Sequence, residues 1–144
     1  MHHAEAIMQA ILALITGLTT TGNNVARGRP YPVETVPALT LMQGEDSLAN
    51  GLQNMSFVDR ILIVRIVCHV KTGTQFDTDL NQIRREVYVA IMANRNLNLP
   101  NIVIDTAPEG DDEPELSGDG EKNIGQQVMN FAVTYRHSLT DPGA

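Results

Sequence analysis

With 144 residues, of which 42% are hydrophobic and 4% aromatic, the chain can bury one core of ordinary size without staples and is too short for tandem domains, so residues 1–144 are expected to form a single domain. A formal charge of −7 and a pI of about 4.9 exclude an electrostatic grip on nucleic acid, which needs clustered Lys and Arg. The single cysteine, Cys68, excludes a disulfide within the chain and points to a reducing compartment, and no apolar run approaches the roughly 18 residues of a membrane span.

The opening HHAEAIMQAILALITGL contains Glu5 and Gln9 and lacks a basic start, so it reads as a domain helix rather than a secretory leader. Ile7, Ile11, Leu14, Ile15 and Leu18 recur at three and four between Ala4 and about Thr20, with Glu5, Gln9 and Thr16 on the other side. The Thr-Thr-Thr-Gly-Asn-Asn run then stops the helix. His2 and His3, at the terminus, are expected to be solvent-exposed and idle.

Residues 25–32 read as a short edge strand or extended segment, because Pro30 and Pro32 lack the N–H an interior ladder requires. Ala38 to Met42 is a short strand and Gly44-Glu45-Asp46 its turn, which leaves residues 43–56 as a polar hairpin tip. Asn54-Met55-Ser56 matches a glycosylation acceptor, without meaning in the absence of export.

The long strand at residues 57–70, FVDRILIVRIVCHV, dominates the pattern. Leu62, Val64, Ile66, Cys68 and Val70 form one apolar face. Ile61, Ile63, Arg65, Val67 and His69 form the other, too greasy for plain solvent and too charged for a second core. That is the profile of a surface that meets a neighbour, here a second copy of the chain.

Asp77 and Asp79 are placed to cap a second helix from Leu80 to about Arg95, whose core stripe is Leu80, Ile83, Val87, Ala90 and Ile91. Tyr88, Val89 and Met92 fall off that stripe. They are either incidental surface apolarity or part of an oligomer contact.

Residues 102–105 start a brief strand. The chain then enters an acidic loop at 108–121, in which Asp111, Asp112, Glu113 and Glu115 are the central carboxylates. Residues 127–136 alternate Met129, Phe131, Val133 and Tyr135 with polar residues and form a strand with one buried face. Residues 137–144 read as a flexible tail. The expected fold class is α+β: a mixed, mainly antiparallel sheet with two helices packed on one face, in the order α-β-β-β-α-β-β.

Motifs of chemistry are missing. No phosphate-cradling glycine loop, zinc spacing or nucleophile elbow occurs. Cys68 and His69, adjacent on a strand, point to opposite faces and cannot pair. No catalytic residue, cofactor or metal is expected, and the acidic loop does not match a calcium loop; it suits at most a loosely held divalent cation at subunit contacts. If it lines a channel, its charge keeps DNA off the wall. Eight of ten basic residues are arginine: Arg27, Arg29, Arg60, Arg65, Arg84, Arg85, Arg95 and Arg136. Their planar forks suit carboxylate pairing between subunits.

The opening helix, Gly28-Arg29-Pro30, Pro37-Ala38-Leu39-Thr40-Leu41 leading to Gly44-Glu45, the long strand, the second helix and the closing Ala132-Val133-Thr134-Tyr135 together resemble the tail terminator family of long-tailed bacteriophages, of the minor tail protein U type. The likeness runs through nearly the whole chain in order and length, and the longer acidic segment after Pro108 departs from it. The resemblance implies a hexameric ring that caps the tail tube, ends its polymerisation and offers the surface where the filled head attaches. Its partners would be further copies of itself, the tube protein and a head-neck connector protein, with DNA only passing through the lumen and no membrane. Its place would be the virion tail, assembled in the host bacterial cytoplasm. The alternatives are a head-side neck or connector completion protein and a small ligand-binding regulatory α+β module.

Overall fold

The computed structural model describes residues 1–28, 35–49, 56–116 and 123–144. In chain order the elements are α1 (His3–Ile15), β1 (Val25–Arg27), β2 (Ala38–Leu48), β3 (Phe57–Lys71), α2 (Phe76–Met92), β4 (Val103–Asp111), β5 (Glu115–Leu116) and β6 (Ile124–Ser138). The strands form one sheet in the order β1-β2-β3-β6-β4, with the two-residue β5 also pairing with β6. β1 runs parallel to β2 and every other pairing is antiparallel. The α+β class and the element order are those the sequence predicts, with β5 as an addition.

Strand alternation builds the core. Leu62, Val64, Ile66, Cys68 and Val70 of β3 and Met129, Phe131, Val133 and Tyr135 of β6 are buried on one side of the sheet. Ile7, Met8, Ile11 and Ile15 of α1 and Leu80, Ile83, Val87 and Ile91 of α2 join the same apolar cluster. Each such aliphatic side chain contributes about 1.5–3 kcal/mol when fully removed from water. This one cluster is therefore what fixes both helices on the same face.

Several local expectations are corrected. α1 ends at Ile15, earlier than its apolar periodicity suggests, because Thr16 adopts extended backbone and Gly17 follows at φ 88°. The terminal histidines are not idle: His2 Nδ1 accepts from the Ala4 N–H at 3.0 Å and caps α1, and His3 is buried with Nδ1 3.0 Å from the Arg136 carbonyl oxygen. α2 starts at Phe76 behind Gln75, with no side-chain cap. Asp77 and Asp79 therefore lie within its first turn, where their charge favours the N-terminal dipole without a capping bond.

Gly44-Glu45-Asp46 is no turn. β2 continues to Leu48 through a bulge between Gln43 and Asp46, which absorbs the extra residues while strand pairing resumes. β4 likewise extends to Asp111 through a bulge between Pro108 and Gly110, so the first part of the supposed acidic loop is strand. Residues 137–144 are not a free tail. The Ser138 N–H donates to the Ala144 carbonyl at 2.7 Å, Leu139 N–H to Ser56 at 3.0 Å, and His3 N–H to Pro142 at 2.8 Å. The two chain ends are thereby tied together.

Candidate subunit interface

The face of the sheet turned away from the helices is built by strand register. Across it run the rows Met42, Arg65 and Asn130, then Ile63 with Ala132 and Ala107, then Ser47, Ile61 and Thr134. Ile61 and Ile63 are half-buried, Arg65 and Met42 are exposed, and Val67 is buried. Neither helix touches this face, since both belong to the cluster on the other side. A central strand normally reaches this degree of apolarity only where both faces are covered.

Tyr88, Val89 and Met92 do not join Ile61, Ile63, Arg65 and Val67. α2 packs on the opposite side of the sheet, so Tyr88 and Val89, 43% and 54% exposed, look the other way. Met92 is half-buried and packs against the core. Tyr88 stands with its ring centroid 6.4 Å from that of Phe131. It lines an open cleft of about 290 Å³ with Asn81, Arg84, Arg85, Asp111 and Met129.

Most arginines are already used within the protomer. Arg27 forks onto Glu5 at 2.6 and 2.8 Å, and this bond holds the Glu5 carboxyl below its usual range. Arg95 does the same to Asp105 at 2.8 and 2.7 Å. Arg84 Nε donates to Asp111 at 2.8 Å. Arg136 clasps the buried Asp59 at 2.7 and 3.1 Å while its guanidinium carbon lies 3.8 Å over the Phe57 ring. Arg60 Nε donates to His137 Nε2 at 2.8 Å, which requires that nitrogen to be an unprotonated acceptor. These five arginines therefore already have partners inside one protomer. Among the described residues Arg65 makes no hydrogen bond or ion pair; Arg29 lies outside them.

Gly28, at φ 60°, takes left-handed backbone that favours glycine, and its N–H reaches the Leu41 carbonyl at 2.9 Å. Arg29 and Pro30 fall outside the described residues. Pro37 follows a cis peptide, and the buried Ala38 opens β2. Gly28 and Ala38 therefore mark where the short edge strand β1 is laid beside β2.

In the acidic segment, Asp111 is held by Arg84, and Asp112 Oδ1 accepts from Asn130 Nδ2 at 3.1 Å. Glu113 and Glu115 are exposed. Among the described residues no group of three or more His, Cys, Asp or Glu side chains is placed to hold a metal ion, and no helix is long and apolar enough to cross a membrane. Cys68 faces the core, and burial pushes its thiol up to about 12; His69 faces the other way. One polar pair escapes sequence reasoning: the Tyr135 hydroxyl donates to Asp46 Oδ2 at 2.7 Å, across a distance in sequence that no local pattern signals.

No family model matches the chain, and no curated protein matches it. A chain of the solved "virion of native gene transfer agent (GTA) particle" is similar with a TM-score of 0.48 and 9% identity, over 91% of this chain and 92% of that one.

Proposed function

We propose that this is a structural protein of a phage-like virion, which assembles with copies of itself into a ring that caps the tail tube, ends tube growth and presents a seat for the head. The observation that carries the reading is the sheet face that neither helix covers: a central strand with Ile61 and Ile63 half-buried and Arg65 exposed without a hydrogen bond or ion pair among the described residues, on a protomer whose other face is already filled by two helices. Such a surface is completed by association. The ordered motifs from Gly28 to Tyr135 supply the virion and tail context, and the helix-on-sheet architecture in its chain order is the one that context implies.

The action is steric: the ring occupies the growing end and no bond is made or broken. Electron microscopy of particles assembled without the protein tests it. Overlong tubes without heads are the expected result. Tubes of normal length that merely fail to join heads would instead identify a head-side neck protein, and normal whole particles would defeat both.

A further inference from the structure

On the helix side of the sheet lies the cleft of about 290 Å³ bounded by Asn81, Arg84, Arg85, Tyr88, Asp111 and Met129, which the ring reading leaves without a role. Residues 81, 84, 85 and 88 recur at three and four along α2, so they share one side of the helix and make one wall. Two of them are already held in place. Arg84 donates through Nε to Asp111 at 2.8 Å and through Nη1 to Asn81 at 3.0 Å, and the Tyr88 ring stands against Phe131. Arg85 is exposed and makes no hydrogen bond or ion pair among the described residues. Its sequence neighbour Glu86 is engaged elsewhere, accepting from the Thr20 N–H at 2.9 Å and from Gln82 Nε2 at 2.9 Å. Asp111 is neutralised by Arg84. In a chain of formal charge −7, the cleft therefore keeps one uncompensated positive charge, beside an aromatic ring and the Met129 side chain.

We infer that this cleft receives an acidic side chain, Asp or Glu, with an apolar neighbour, from an extended segment of a partner protein. Arg85 and the Tyr88 hydroxyl donate to the carboxylate, and the apolar neighbour lies on the Tyr88 ring and on Val89, which is 54% exposed. Size selects the class of ligand: small-molecule pockets enclose roughly 300–1,000 Å³ and bury most of what they hold, whereas an open cleft at the lower edge of that range has room for one or two side chains. Charge selects the ligand's sign, since a guanidinium gives a carboxylate a two-point, charge-assisted bond that it cannot give a neutral amide. Tyr, Met and Arg are also the side chains enriched where proteins meet. Because Arg84 and Tyr88 are held before anything binds, little side-chain freedom is lost there on docking. The cleft lies on the opposite side of the sheet from Ile61 and Ile63, so its role is independent of the ring reading.

Saturation-transfer difference NMR of the full chain with the capped peptide acetyl-Leu-Glu-Leu-Glu-amide tests the assignment, with acetyl-Leu-Gln-Leu-Gln-amide as the uncharged counterpart. The acidic peptide is expected to bind with a dissociation constant of about 1 mM or below, and about tenfold or more tightly than its counterpart. Arg85→Gln should weaken that binding about tenfold and Tyr88→Ala about fivefold, with circular dichroism showing each variant folded. Lys71→Gln removes an exposed cation at the end of β3 and should change binding by less than about twofold. Equal binding of the two peptides, no signal from the acidic one, or the same loss in Lys71→Gln as in Arg85→Gln would overturn the inference. So would loss of association between copies in Arg85→Gln, which would give the cleft to a second copy of the chain. Peptide binding that fails while copies still associate leaves the ring reading intact, and a chain that binds the peptide but never associates loses the ring reading and keeps this one.

Discussion

His69 offers a sharp test of the packing on the far side of β3. It is 8% exposed, with Nε2 3.0 Å from Thr40 Oγ1, and burial pushes its imidazole from 6.5 down to about 4. The folded chain therefore keeps it neutral where the unfolded chain already protonates it. The sign follows from linkage: its contribution is whole above about pH 6.5 and is lost as pH falls toward 4. Between pH 6.5 and 5, a slope of about 1.4 kcal/mol per pH unit gives about 2 kcal/mol, and solvent screening trims this to about 1–2 kcal/mol. His69→Gln keeps a polar group beside Thr40 and removes the titration. In urea unfolding at pH 7.5 and pH 5, the wild type should lose about 0.5–1 M more of its midpoint than the variant does. Equal losses in the two proteins would refute the reasoning, because other acid-labile groups are common to both.

Tyr135→Phe deletes the hydroxyl that donates to Asp46, whose other oxygen is already buried without a partner, and should cost about 1.5–3 kcal/mol in urea unfolding. Combining it with Asp46→Leu should cost clearly less than the two single losses added together, and simple additivity would contradict the pairing. Gly44→Ala would place a Cβ 2.9 Å from the Ile63 carbonyl oxygen; backbone there cannot yield cheaply, so a loss of about 1–3 kcal/mol is expected. An unchanged thermal midpoint would mean that β2 does not approach β3 so closely at the bulge.

What the sequence made legible was periodicity. The even residues from Leu62 to Val70 and the odd ones from Met129 to Tyr135 are core on both strands, because a two-residue period needs no knowledge of the partner. The helix stripes followed for the same reason. What stayed hidden depends on partners far along the chain. His3 binds at Arg136, and the closing residues fold back on the N-terminus, yet in sequence they look like two loose ends. Gly44 and Pro108 read as breakers because a bulge that lets a strand continue has no signature of its own. Arginine content suggested contacts between subunits, but Asp59, Glu5 and Asp105 had taken Arg136, Arg27 and Arg95. Alternation already put Arg65 on the mixed face of the long strand; three-dimensional placement adds that it has no hydrogen bond or ion pair among the described residues.

The central claim is that the protomer is completed by its own copies, and the mass of the purified chain in solution tests it most directly. Light scattering across a concentration series should resolve one dominant species at a fixed multiple of 15.7 kDa, annular in negative stain. A species of 15.7 kDa at every concentration, unchanged when tail tubes are added, would contradict the account.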